Sequence, residues 1–287
     1  MATSRSYSPP WRRGLGYVVL AAFALLFLGP FLIQLATSFK TDADAAGNAL
    51  SLVPDPVSVR AWERIFGFSA DSGVPFGRWL ANSTIVATCI TLGRVFLDSL
   101  AGYALARLRF RGRKLVFWLI LGVLSVPNVV LLIPRFLVLK ELSLYNTYTG
   151  MILPIMVDAA GIFIMRQFFL QVPVSVEEAA RIDGAGVFRT YWAIVLPMVR
   201  PGILTVTILA FQGSWNEFSF FLVATSDPKY ETLTTGLARF SSGSRGAGTQ
   251  YPVTLGAALL STIPIAILFF LFQRQFVGGR LSGGVKG

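Results

Sequence analysis

Residues 177–186 read EEAARIDGAG, a short charged, alanine-rich segment in a chain that is otherwise mostly apolar. The apolar run 151–170 precedes it and the run 202–224 follows it. A membrane-spanning helix needs about 20 mostly apolar residues, so both runs are long enough to cross. Four more occur at about 15–37, 79–105, 115–139 and 253–273. Together the runs predict an all-α, polytopic membrane protein of about six transmembrane helices. The charged segment becomes a loop between the fourth and fifth.

Composition supports this reading. Of 287 residues, 54% are hydrophobic and 14% are charged, with a mean hydropathy of +0.64. A soluble domain carries about 25% charged residues. The chain has no histidine, which excludes histidine metal sites and histidine-containing catalytic triads. Its one cysteine, Cys89, lies in an apolar run. It can form no internal disulfide, fits no zinc spacing and is expected to be buried filler. The net charge of +11 would point to nucleic acid on a soluble protein. Here no basic patch is interleaved with aromatic residues as a nucleic-acid groove requires, and no nucleic-acid partner is expected.

Charge sets the orientation instead, because Lys and Arg accumulate on cytoplasmic loops. The first run follows Arg12 and Arg13 in the manner of a signal peptide. It is longer than the 7–15 residues of a signal core and reads as an uncleaved first span. With the N-terminus inside, the segments 1–14, 106–114, 171–201 with boundary residue Arg166, and 274–287 hold fifteen cations, against eight in the outer segments. RLRFRGRK at 107–114 is the strongest determinant. Both termini are then cytoplasmic. The chain divides into a tail, first span and extracytoplasmic loop (1–78), a transmembrane core (79–273) with cytoplasmic helices at 173–200, and a C-terminal tail (274–287). SSGSRGAG at 241–248 reads as a flexible outer loop.

Within the interruption, Pro173 ends the preceding helix. Ser175 with Glu178 three residues on fits a capping box, and Glu177 and Glu178 suit the dipole of the first turn. Arg181 stands three and four residues beyond them and can pair with either. Gly184 and Gly186 end the helix, and a second amphipathic stretch, 187–196, runs up to Pro197. Ala179 and Ala180 give the first helix a flat face suited to a socket on a soluble partner. Composition alone balances this against an ordinary loop helix packed on its own bundle.

No G-x-x-x-x-G-K-S/T phosphate loop is present, and no nucleophile–base arrangement is visible. The chain is not expected to be an enzyme, and any ATP-driven work would draw energy from a partner. Five ionisable residues fall at membrane depth, where charges face a bundle interior or a cavity. Arg94 and Asp98, four apart on one face, are expected to form a structural ion pair. Arg135 can snorkel from the outer end of the third span. Asp158 and Glu217 lie at similar depth, about 10 Å from the outer ends of their spans. Gln212, Asn216 and Ser219 follow at helical spacing and, with Glu217 and Asp158, are the candidate pathway lining. Interhelical hydrogen bonding explains such a stripe equally well. Pro127, Pro134, Pro154 and Pro264 are expected to break the helix ladder locally.

The pattern E-A-A, three residues, Gly, nine residues, I-x-L-P occurs as Glu178-Ala179-Ala180, Gly184, Ile194, Leu196 and Pro197. It resembles the signature of inner-membrane permease subunits of ABC importers. SFKTDADA (38–45), NSTIVA (82–87), AGYALARLRFRGR (101–113), GSWNEF (213–218) and QRQFVGGRLSGGVKG (273–287) resemble the carbohydrate-uptake branch of this binding-protein-dependent family, and its MalG-like permease. Gly284 departs from the usual Ala. The resemblance implies a type I ABC importer permease fold in the bacterial cell membrane. It implies an ATPase-coupling element made of Glu178, Ala179, Ala180, Arg181, Asp183 and Gly184, with Ile194, Leu196 and Pro197 completing the motif. The implied partners are a second permease subunit, two ATP-binding cassette subunits that hold ATP and Mg, and an extracytoplasmic solute-binding protein. No cofactor is expected on this chain. The implied cargo is a sugar or sugar-like solute such as an oligosaccharide or a glycerol phosphate. The alternatives are a permease for another solute and an ion-coupled secondary transporter using Asp158 and Glu217.

Overall fold

The computed structural model describes residues 10–68, 74–242 and 250–278. The expected outer loop at 241–248 lies outside them from residue 243, as does the tail beyond 278. The described residues form helices and turns and no strand. Three helices are long and apolar enough to cross a membrane: α1 (Pro10–Ser38), α4 (Phe76–Arg107) and α15 (Tyr251–Gly278). Three further crossings are available as bent pairs. In the first, α5 (Arg113–Leu124) meets a 3-10 turn (Asn128–Leu131) and α6 (Leu132–Glu141) at 96°. In the second, α7 (Tyr148–Ile152) and a 3-10 turn (Leu153–Ile155) meet α8 (Ala159–Gln171) at 45°. In the third, a helix running through α10 (Val187–Arg189), a π segment (Thr190–Val195) and α11 (Leu196–Met198) meets α12 (Arg200–Trp215) at 81°.

Proline explains two of these bends and not the others expected. Pro127 precedes the 3-10 turn with extended backbone, and Pro154 opens the turn at 153–155. Each removes an amide donor and restricts the residue before it. Pro134, by contrast, sits in the first turn of α6, where its missing N–H has no intrahelical partner to lose, and α6 is continuous. Pro264 lies inside an unbroken α15.

The run 202–224 also departs from expectation. It is two helices: α12 ends at Trp215, and α13 (Ser219–Ala224) begins after the turn Asn216–Phe218. Ser, Asn and Gly favour such a break because they are poor helix formers, and the Ser and Asn side chains compete for backbone hydrogen bonds.

The described chain packs as two compact units. One holds the described residues up to Phe76 with Arg239–Ile263, and the other holds Gly77–Ala238 with the described residues from Pro264. In the first unit, α1 presents its Leu and Phe side chains outward, as a lipid-facing helix does. Beyond it come α2 (Asp42–Gly47) and α3 (Arg60–Ile65). The Thr41 hydroxyl caps α2 by accepting from Asp44 N–H at 3.2 Å. Hydrogen bonds from Asn48 and the Asp55 amide hold the Asp44 carboxyl below the usual carboxylate range.

In the second unit, α4 buries one stripe, including Trp79, Asn82, Val86 and Ile90, and leaves the other face exposed. Cys89 falls on the exposed face. It is therefore not core filler, because a residue one step before Ile90 is turned about 100° away from it. Two clusters hold the unit together. Tyr103, Met165, Phe169, Tyr191, Val195 and Val206 join α4, α8, the π segment and α12. Val86, Ile90, Leu139, Met151, Phe220 and Phe221 join α4, α6, α7 and α13.

Candidate functional site

The loop that interrupts the apolar sequence forms α9 (Val174–Ile182). The capping box does not form. Pro173 is the N-cap, without a side-chain hydrogen bond, so Ser175 already lies inside the first turn. Nor does Glu177 turn toward Arg181. It is buried, with its Oε1 3.1 Å from Nε of Arg107, at the end of α4. Arg107 also donates to the Val172 carbonyl. This ion pair, which residue spacing could not reveal because its members stand 70 positions apart, fastens α9 to the bundle.

The far end behaves as expected at one glycine and differently at the other. Gly184 has φ +76°, the Ala185 amide donates to the Ala180 carbonyl at 2.9 Å, and the Gly184 amide donates to Arg181 at 3.0 Å. These are the two bonds of a Schellman stop. Gly186 is extended and starts the next helix instead of ending α9. Ala179 and Ala180 do not share a face. Ala180 is buried and Ala179 exposed, as adjacent residues turned about 100° apart on a helix must be.

The outward surface therefore consists of Glu178, Ala179, Arg181, Asp183 and Gly184. Beside them stand two apolar side chains that the sequence reading passed over, Ile182 at 86% and Phe188 at 82% exposure. Their apolar character inside a charged loop was the available signal. Ile194 and Leu196 are half-buried, and Leu196 packs on the Tyr103–Phe169–Tyr191 cluster, while Pro197 is exposed. The Tyr191 hydroxyl lies 2.8 Å from Ser99 Oγ, which ties this second helix to α4.

The second assembly lies where the first two bent pairs break and where α12 gives way to α13. Asn128 comes from the first, Pro154, Ile155 and Asp158 from the second. Ser214 comes from α12, Glu217 from the α12–α13 turn and Ser219 from the start of α13, and all line one cavity of about 290 Å³. Glu217, Ser219 and Asp158 are thus brought together as expected. Gln212 and Asn216 are not among its lining residues. The single helical stripe through Gln212, Asn216 and Ser219 does not exist, because α12 stops at Trp215 and Asn216 is its C-cap.

The acids at the cavity are helix caps. Asp158 Oδ2 accepts from Gly161 N–H at 3.1 Å and begins α8. Glu217 Oε1 accepts from Phe220 N–H at 2.8 Å in the first turn of α13. Arg94 and Asp98 do not pair with each other as expected. Arg94 Nε donates to the Ile155 carbonyl at 2.8 Å, and Asp98 Oδ1 accepts from the Asp158 amide at 3.0 Å. Together they satisfy two of the backbone groups that the break between α7 and α8 sets free, as a broken helix at membrane depth requires. Arg135 lines the cavity too. Its guanidinium stands over the Phe220 ring, 5.6 Å from the centroid.

Another network explains NSTIVA. Asn82 Nδ2 donates to the carbonyls of Lys229 and Glu231 at 2.9 and 2.8 Å, and Asn82 Oδ1 accepts from the Tyr148 hydroxyl at 2.6 Å. Trp79 Nε1 donates to the buried Glu231 carboxylate at 2.9 Å. Glu231 carried no signal in the sequence beyond its charge.

The chain belongs to the family of binding-protein-dependent transport system inner membrane components, whose model matches residues 98–279. It is similar to the sn-glycerol-3-phosphate transport system permease protein UgpE of Yersinia pestis bv. Antiqua (strain Antiqua), with 34% identity over 275 residues, covering 93% of this chain and 96% of the relative. It is also similar to the arabinooligosaccharides transport system permease protein AraQ of Halalkalibacterium halodurans, at 33% identity over 277 residues and 96% of both chains. Among solved structures, it shares its fold with a chain of a bacterial ABC transporter involved in the import of the acidic polysaccharide alginate. The TM-score is 0.78 at 23% identity, covering 93% of this chain and 98% of that one. The chain is thus a multi-pass inner-membrane transport component with the fold of an ABC importer permease.

Proposed function

We propose that this chain forms half of the translocation pathway of an ATP-driven importer for a sugar or sugar-like solute. Relatives named for glycerol 3-phosphate and arabinooligosaccharide transport support the cargo class. The partners are a second permease, two ATPase subunits that bind ATP and Mg, and a solute-binding protein outside. The pathway lining is centred on Asp158, Glu217 and Ser219. Both termini and α9 face the cytoplasm, a reading supported by the excess of cations on those segments.

The observation that carries the coupling role is the form of α9. It is stopped by Gly184, fastened at its root by Glu177–Arg107, and directs Glu178, Ala179, Arg181 and Ile182 away from the bundle. A rigid, rooted helix with a charged rim and an apolar tip is suited to transmit a push from a soluble motor. Ala179→Arg places a bulky cation on that outward face without touching the buried Ala180. We expect uptake in proteoliposomes of the complete importer to be lost while complex yield is unchanged. Normal uptake at normal yield overturns the coupling role.

A further inference from the structure

We propose that this subunit itself contains a solute subsite, the cavity at the α5–α6, α7–α8 and α12–α13 breaks, and that Arg135 receives there an oxyanion of the cargo. The inference rests on the importer reading above and adds to it a place of contact and a chemical class: an acidic sugar or a polyol phosphate.

Most charges at the cavity are already engaged. Arg94 and Arg135 are its cations, and Asp158 and Glu217 its acids. Both acids accept backbone amides in the first turn of a helix, where the amide dipoles offset part of their charge. Arg94 Nε is held by the Ile155 carbonyl. Among the described residues Arg135 has no hydrogen bond and no ion pair, and its contact is the Phe220 ring. A guanidinium at membrane depth is costly unless something meets its charge. Its five donors form a fork that matches a carboxylate or a phosphate.

Geometry agrees with the chemistry. Phe220 lies beneath the guanidinium and holds it against the wall while leaving its N–H edges available. Ser219 and Asn128 line the same space, and their hydroxyl and amide groups suit the hydroxyls of a polyol. The volume of about 290 Å³ lies at the lower end of small-molecule sites, enough for one acidic sugar unit or a glycerol phosphate.

The test uses the complete importer with its binding protein in proteoliposomes. The probes are sn-glycerol 3-phosphate, a uronate disaccharide and an uncharged disaccharide. We expect uptake of at least one of the anionic probes. For it, Arg135→Gln should raise KM about tenfold or more, the effect of losing a charge-assisted bidentate contact. Arg135→Lys should recover part of that loss. Phosphate and carboxylate sources are separated by which probe is carried. Uptake of the uncharged probe alone, uptake of none of the three, or a KM for Arg135→Gln within about twofold of the parent overturns the subsite, about twofold being the ordinary scatter of such contacts. An Arg135→Gln effect that disappears when anionic lipid is left out of the vesicles also overturns it, by assigning the side chain to a headgroup. Loss of uptake in Ala179→Arg together with an unaffected Arg135→Gln leaves the importer reading standing and removes the subsite alone.

Discussion

Asp98 is fully buried and holds a backbone amide in place of a cation. Its neighbour across the helix interface is Gly161, where a Cβ would stand 2.1 Å from Asp98 Oδ2. Gly161→Ala should therefore push α8 from α4 and weaken the contact that closes the break. Overpacking of this kind costs about 1–3 kcal/mol. We expect a lower thermal midpoint of the purified complex and reduced uptake. Gly213→Ala is the comparison, because a Cβ there meets nothing within 4 Å, and its midpoint should match the parent. Equal midpoints for the two variants would remove the close-packing account. At this scale the sequence was partly misleading. Arg94 and Asp98 at i and i+4 read as partners, since spacing shows which side chains share a face and not which backbone groups across the interface are unpaired.

The loop helix α9 is the element on which coupling depends, and its C-terminal stop is its most testable part. Gly184 occupies the left-handed region, whereas Gly186 does not. A side chain at Gly184 adds about 1–2 kcal/mol of backbone strain, so Gly184→Val should fray the last turn of α9 and lower uptake at unchanged expression. Gly186→Ala should leave uptake intact, with φ −72° and no atom within 4 Å of the added Cβ. A result in which Gly186→Ala is the more harmful would contradict the Schellman stop. The helix, its glycine corner and the helix that follows were all legible from residues 173–197. The capping box and the pairing of Arg181 with Glu177 were not, because Pro173 starts the helix early and Arg107, far away in sequence, claims the carboxylate.

For the molecule as a whole, orientation is the property on which the importer reading stands. The chain has one cysteine, and Cys89 is exposed on α4. In a Cys89→Ala background, Arg181→Cys should react with a membrane-impermeant maleimide only when the cytoplasmic face is open. Asp42→Cys, on the exposed start of α2, should react from the other side. Labelling of residue 181 from outside would reverse the topology and place α9 beyond the reach of any ATPase.

By itself the sequence determined the class of fold, the number of apolar crossings and the position of the loop helix. Those depend on local quantities: run length, composition, glycine and proline placement, and a signature of fixed spacing. Tertiary structure alone decided that three crossings are bent and that the α5–α6, α7–α8 and α12–α13 breaks line one cavity. It also decided that Asp158 and Glu217 serve as caps, that Arg94 and Asp98 serve a backbone gap, and that Gln212 and Asn216 stand apart from the lining. The reason is physical. A freed amide or carbonyl at membrane depth must be satisfied by whatever group folding brings near it, and that neighbour is fixed by packing between helices distant in the chain.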